Sequence, residues 1–356
     1  MGQRMKRRNM GKSKSVRALL GIGMFVGWLQ TCFAADDSPK AAPINIFSPS
    51  STPAIEISHL AVFVFCITGV VFAVVAGLLV LVIFRYRARK QDDPSEPPQV
   101  YGSNQIELAW TVIPVLIVVV LFLATARVIF AIQDAPKPAS ALDVTVTGHQ
   151  FWWEFRYPKL GIVTANELHV PVSDPNHPTP TYLKLMSADV DHSFWVPELA
   201  GKTDLIPNRV NELWIDPLRT GVYLGQCAQF CGMEHAKMLI RVYVDTPDGF
   251  ASWVNNQRQI GNQDSAAQAG RHVFETQSCI NCHTVSGTVA TGRFGPDLTH
   301  LMSRSTIASG IALNNEKNLH DWIKDPDHFK RGCLMPAMQL SDEQIDGIVA
   351  YLSTLR

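Results

Sequence analysis

The segment GQCAQFCGMEHAKM, residues 225–238, places Cys227, Cys231, His235 and Met238 within twelve positions. Two thiols, an imidazole and a thioether are soft or borderline ligands, a set that selects copper over magnesium, calcium or manganese. A single blue-copper ion uses one Cys, two His and a weakly bound Met, so a second Cys points to more than one metal ion. A disulfide between Cys227 and Cys231 is the plain alternative in an exported chain. That alternative leaves His235 and Met238 without a purpose. The missing imidazole has a candidate in His192, within SADVDHSFWVPELAGKTD (187–204), which can equally be an ordinary core histidine.

The surroundings of this loop read as β-structure. LDVTVTG (142–148) and LIRVYVDTP (239–247) alternate with period two, and RVNELWIDP (209–217) is β-branched and aromatic. The turn-rich stretches PVSDPNHPTP (171–180) and LRTG (218–221) separate such runs. A small β-sandwich or barrel over 140–248 is expected.

The apolar residues that raise the hydrophobic content to 47% against 17% charged are concentrated before about residue 133. A basic start, MGQRMKRRNMGKSKSVR, precedes the short apolar run ALLGIGMFVGW and the small residues CFAAD. This pattern predicts a signal peptide over 1–34, cleaved after Ala34, or else a first anchor that stays attached. Two longer runs predict membrane spans at about 60–84 and 108–132, a hairpin within 55–135. The loop 85–107 between them opens with RYRARK, and the positive-inside rule puts it in the cytoplasm. Everything after the second span then lies outside the cell, in agreement with the export signal. The 31 basic and 31 acidic residues balance, with no long charge run, which argues against a nucleic-acid partner.

Residues 249–265 are polar and Gln/Asn-rich and are expected as a linker. Beyond them the patterning turns helical, and SDEQIDGIVAYLSTL (341–355) opens with Ser341 as N-cap and two acids in the first turn. CINCH (279–283) is the C-x-x-C-H pattern of covalent c-type haem attachment. Cys279 and Cys282 reach the two vinyl groups, and His283 supplies the proximal imidazole. A zinc knuckle would want two more ligands nearby, and a redox dithiol would not require the His. Met335, in RGCLMPAMQL (331–340), is the expected distal ligand, since a thioether raises the potential and suits electron transfer. Met338 reads as core filler and Cys333 as a free, partly buried thiol.

DVDHSFWVPELAGKTDLIPNR (189–209) and GVYLGQCAQFCGMEHAKM (221–238) together resemble subunit II of haem-copper cytochrome c oxidase. IELAWTVIP (106–114) and GHQFWWEF (148–155) extend the resemblance over 55–255, and residues 266–356 resemble the cytochrome c domain fused to this subunit in bacterial caa-type oxidases. The resemblance implies three parts: a two-helix transmembrane hairpin, an all-β cupredoxin-like Greek-key sandwich and an all-α class I cytochrome c domain. It implies a dinuclear copper centre, CuA, bridged by Cys227 and Cys231. His192 and Met238 complete one ion, and His235 with the main-chain carbonyl of Gln229 completes the other. Glu107 stands where the family has a carboxylate at the mouth of a proton channel, although a snorkelling helix-start Glu reads the same way.

Two positions depart from the family pattern. Many members have Glu where Gln229 stands, which keeps the carbonyl for copper but puts a magnesium ion at the subunit I junction in doubt. The family's electron-accepting Trp after GHQ is Phe151 here, with Trp152 and Trp153 as substitutes on the electron path, at least one of them in a core role. The implied function is electron relay in a terminal oxidase at the bacterial plasma membrane. Electrons pass from a soluble cytochrome c or a respiratory complex, through haem c and CuA, to subunit I, where oxygen is reduced and protons are pumped. Subunits I and III are the implied membrane partners. A CuA-bearing nitric oxide reductase subunit, and less closely a copper-delivery protein, use similar modules.

Overall fold

The computed structural model describes residues 44–87, 99, 101–260 and 267–356. The expected signal peptide over 1–34 lies outside the described residues, as do residues 88–98 and 100 of the hairpin loop and residues 261–266.

Two long helices come first, α1 (Thr52–Arg85) and α2 (Asn104–Gln133). Both carry apolar side chains on all sides, as expected of helices facing lipid, and both are long enough to cross a membrane. They exceed the expected spans 60–84 and 108–132 because their ends continue into the aqueous part. At 1.5 Å per residue α1 is about 51 Å long, against about 30 Å of hydrocarbon core. Its first turn is buried at Pro53 and Ala54. There Thr52 Oγ1 donates to Asp216 at 2.6 Å and Asp216 N donates to Ser51 Oγ at 2.8 Å. At the end of α2, Trp214 Nε1 donates to the Ile132 carbonyl at 2.8 Å. Hydrogen bonds therefore fix the hairpin to the soluble part.

The soluble part begins with a sandwich of two five-stranded sheets. One sheet runs β3 (Ile162–Ala165), β2 (Trp152–Tyr157), β1 (Leu142–His149), β5 (Thr181–Ser187), β8 (Asn211–Ile215). The other runs β4 (Glu167–Pro171), β10 (Leu239–Asp245), β9 (Gly221–Cys227), β6 (His192–Trp195), β7 (Thr203–Leu205). Each is mixed: β1 pairs parallel with β5, and β4 with β10. Alternation puts Val144 and Val146 inward from β1, facing a core of Trp153, Phe155, Leu183, Leu185 and Phe194. Trp153 meets Phe194 edge to face at 5.8 Å. The antiparallel pair β9–β10 is joined by residues 228–238, so the Cys/His/Met segment is one loop at one end of the sandwich.

The stretch expected as a linker over 249–265 is not extended throughout: α3 (Pro247–Gln257) covers its first part. Phe250, Trp253 and Val254 recur at i, i+3 and i+4, an apolar face inside a polar composition, and pack on the sandwich core. Trp253 stacks on His169 at 4.6 Å.

The C-terminal domain is helical, with α4 (Gln268–Thr276), α5 (Cys279–Cys282), α6 (Glu316–Lys324), α7 (Pro326–Phe329) and α8 (Asp342–Leu352), plus a two-residue strand pair β11–β12 (Thr306–Ile307, Ala312–Leu313). Ser341 caps α8 in a capping box with Gln344. Helices α4 and α8 cross at two glycines: a Cβ on Gly270 would lie 1.8 Å from the Gly347 carbonyl oxygen. No other residue type fits at 270 without separating the helices.

Candidate copper loop and haem cavity

The β9–β10 loop is closed at its base by Cys227 N donating to the Met238 carbonyl at 2.9 Å, and is tied to β6 by Ala228 N donating to the Ser193 carbonyl at 3.0 Å. Strand β6 begins at His192, which brings this residue to the loop from 35 positions upstream. The two Sγ atoms of Cys227 and Cys231 are 3.9 Å apart. His192 Nδ1 is 3.9 Å from Cys227 Sγ, and His235 Nδ1 is 3.7 Å from Cys231 Sγ. Met238 Sδ is 3.9 Å from Cys231 Sγ, and the Gln229 carbonyl oxygen is 3.2 Å from Cys227 Sγ. His192, Cys227 and Cys231, all buried, form a group able to hold a metal ion.

These separations suit a metal. Bonds of about 2.3 Å to thiolate and about 2.0 Å to imidazole, as zinc makes them, span such gaps at ordinary coordination angles. A disulfide does not suit them, because its sulfurs would stand about 2.05 Å apart, and both cysteines are free. The thiols share a proton: the hydrogen bond between them holds the Cys227 thiol well below its ordinary range and pushes Cys231 up. A cation that displaces this proton gains two thiolates.

His192 is oriented from behind. Its Nε2 lies 2.8 Å from Asp189 Oδ1, which leaves Nδ1 for the loop. Burial lowers the imidazole pKa, but the Asp189 and Cys227 contacts outweigh it, and the net shift is upward. The other oxygen, Asp189 Oδ2, accepts from Gln150 N at 2.6 Å, and Gln150 Nε2 donates to the Cys231 carbonyl at 2.6 Å. A Cβ on Gly148 would fall 2.8 Å from His192 Cδ2, so the ring rests on bare backbone.

Cys279, Cys282 and His283 open onto a cavity of about 210 Å³ with mostly apolar walls. Met335 and Met338 both line it, as do Leu319, Ile323, Ile348 and Leu352. His283 Nδ1 lies 2.8 Å from the Pro296 carbonyl, which fixes the ring and leaves Nε2 for a ligand. Burial lowers the pKa of this imidazole, favouring the neutral, ligating form. Arg304 also lines the cavity; it is buried, and its Nε has no hydrogen-bond partner among the described residues. Its Nη2 donates to the Asp297 carbonyl at 2.5 Å, and Lys330 is a second buried cation in the lining. Buried cations among apolar walls suit a flat apolar group with an anionic rim, which describes haem with its propionates. The residues therefore fit the group that C-x-x-C-H implies.

Gln150, Phe151 and Trp152, from the sandwich, line the same cavity. Trp152 stacks on His149 at 4.2 Å. Trp153 is instead fully buried in the sandwich core, against His192 and Phe194. The side chain of Gln229 is exposed, as is Phe230 beside it. Glu107 stands in the first turn of α2, roughly 40 Å of helix from the sandwich end. Cys333 is half-buried in the cavity wall, and burial pushes its thiol pKa up. Asp189 and Gln150 lie within strings that carry the family resemblance but have no role assigned to them by it, and Arg304 lies in no motif. Only the spacing of Asp189 three residues before His192 hints at a role.

Three family models match. Residues 39–128 match "Cytochrome C oxidase subunit II, transmembrane domain", residues 175–244 match "Cytochrome C oxidase subunit II, periplasmic domain", and residues 267–356 match "Cytochrome c". The chain is 36% identical over 297 residues to the cytochrome c oxidase subunit 2 of Alkalihalophilus pseudofirmus, covering 82% of this chain and 84% of that one. It is 36% identical over 291 residues to the cytochrome c oxidase subunit 2 of Bacillus sp. strain PS3, covering 76% and 80%. Among solved structures, it is similar to the periplasmic domain of subunit II of cytochrome oxidase from Bradyrhizobium japonicum, at 32% identity and a TM-score of 0.32, covering 35% of this chain and 96% of that one.

Proposed function

The chain belongs to the cytochrome c oxidase subunit II family, and from that premise we propose which of its residues carry the relay. The protein is the electron-relay subunit of a haem-copper terminal oxidase, a membrane protein with two spans and a soluble part outside the cell. Its family domains imply CuA-type copper in the sandwich and haem c in the C-terminal domain. In our assignment Cys227 and Cys231 would be shared by two copper ions. His192 and Met238 would serve one ion, and His235 with the Gln229 carbonyl the other. Cys279 and Cys282 would attach the haem, and His283, through Nε2, and Met335 would hold its iron.

The observation that carries this reading is the convergence of two thiols, two imidazole Nδ1 atoms and a thioether, each within 3.9 Å of a neighbour, with His192, Cys227, Cys231 and Met238 buried. When bound, the copper pair and the haem supply one-electron chemistry without making or breaking substrate bonds. The residues of the chain hold that chemistry in place. Asp189 and Gly148 fix one imidazole, the β9–β10 base fixes the loop, and the Pro296 carbonyl fixes the haem-side imidazole. Such a rigid cage suits electron transfer, because the ligands move little when the charge changes. Burial of both cysteines and Met238 excludes water from the cluster.

The donor is a cytochrome c and the acceptor is subunit I; contact of the hairpin with subunit III is part of the proposal. Glu107, at the cytoplasmic start of α2, is assigned to the mouth of a proton channel in subunit I. Gln229 offers an amide where a magnesium ion would want a carboxylate, so no magnesium ligand is assigned to this chain.

The test is substitution in the purified oxidase. Cys227→Ser should remove the copper absorption and spare the c-type α-band, and His283→Ala should do the reverse. If Cys227→Ser left the copper signal intact, the assignment would be wrong.

A further inference from the structure

Glu167 begins β4 and is 2% exposed, and its carboxylate faces the haem domain. Oε1 accepts from Thr306 N at 2.9 Å and from Thr306 Oγ1 at 2.7 Å. Ser305 N lies between the two oxygens, at 3.1 Å from Oε1 and 3.0 Å from Oε2. The gripped segment directly follows Arg304, a buried cation of the haem cavity. Glu167 therefore holds a wall of that cavity.

Further bonds cross the same junction. The Phe151 carbonyl accepts from Lys330 Nζ at 2.7 Å and from Ser309 Oγ at 2.8 Å. Lys237 Nζ donates to the Phe329 carbonyl at 2.8 Å, and Arg241 Nη2 to the Gly310 carbonyl at 3.3 Å. On the copper side, Gln150 both lines the haem cavity and donates to the Cys231 carbonyl. One residue thus links the wall of the haem cavity to a bridging cysteine. A buried carboxylate stripped of its donors is costly, so a haem domain that leaves this seat exposes Glu167 to that cost or must rehydrate it.

We propose that Glu167 is a positioning residue for electron transfer within this chain. It grips Ser305 and Thr306 and so keeps the haem cavity seated on Gln150 and Phe151. Electrons then cross a fixed contact and do not wait for a domain to swing. Each transfer moves one electron, leaving the haem side oxidised by one equivalent and the copper side reduced by one. Transfer rates fall steeply with distance, so loosening the seat slows the step without altering either cofactor. The inference rests on the relay reading above.

The experiment uses the full chain in the purified oxidase, with Glu167→Ala, Glu167→Gln and Thr306→Val. Three quantities are read: amide hydrogen exchange at Ser305 and Thr306, the haem-to-copper transfer rate after rapid haem reduction, and the copper and haem spectra. For Glu167→Ala we expect exchange at least tenfold faster and transfer at least tenfold slower, with both spectra unchanged. Glu167→Gln keeps one acceptor oxygen and should fall between it and the unaltered chain. Adding Thr306→Val to Glu167→Ala should slow transfer no further, because the bond is already gone. Unchanged exchange and transfer in Glu167→Ala would overturn the proposal. A slower rate accompanied by loss of either spectrum would also overturn it, reducing Glu167 to a folding role. Absence of both spectra from the unaltered chain would instead refute the relay reading, while the exchange data would still report on the latch.

Discussion

Lys330 Nζ donates to the main-chain oxygen of Phe151 at 2.7 Å, joining the haem domain to the sandwich with a lysine that is 3% exposed. Burial pushes the pKa of this ammonium from its ordinary 10.5 down to about 8. Between these values the unfolded chain binds the proton more tightly than the folded chain. Stability attributable to Lys330 therefore rises with pH across that window and is lost as pH falls through about 8. Urea midpoints of the full chain, measured from pH 7 to 10.5, should show this rise. Lys330→Met should flatten it, because the Phe151 carbonyl keeps the Ser309 hydroxyl as donor.

Asp189 holds His192 from behind, and partners of this kind commonly change metal affinity by about 10–100-fold when removed. Asp189→Ala should weaken copper retention by that order while leaving the haem spectrum untouched. Copper content after dialysis against a graded chelator checks it.

Gly148 is the floor under His192, with room for hydrogen only. Gly148→Ala should push the imidazole away or strain β1, at a cost of about 1–3 kcal/mol. The expected outcome is a lower unfolding midpoint together with reduced copper loading, read by denaturation and metal analysis of the same preparation.

Much of this was legible in the sequence, for a physical reason. The copper loop packs its ligands into one turn of chain, C-x-x-C-H binds one group through adjacent residues, and the two apolar runs announce themselves by length. His192 was harder, because only the pairing of β6 with β9 brings it to the loop. The seat of the haem domain was not legible. Glu167 and Thr306 are 139 positions apart and gain meaning only when two domains meet. Helix α3 was hidden for another reason: three apolar residues in a Gln/Asn-rich stretch make a helix face only if something waits to cover it.

Met335 and Met338 both line the haem cavity. The assignment of Met335 predicts that Met335→Ala lowers the haem midpoint potential by on the order of 0.1 V, within the roughly 0.8 V that axial ligands span. Met338→Ala should leave the potential nearly unchanged and cost stability only. Redox titration of the two variants side by side decides between them.

The central claim is that Cys227 and Cys231 bridge two copper ions. Electron paramagnetic resonance of the oxidised, copper-loaded full chain tests it most directly. The expected spectrum is the hyperfine pattern of one unpaired electron shared equally by two copper nuclei, and it should disappear in Cys231→Ser. A pattern from a single copper nucleus in the unaltered chain would contradict it.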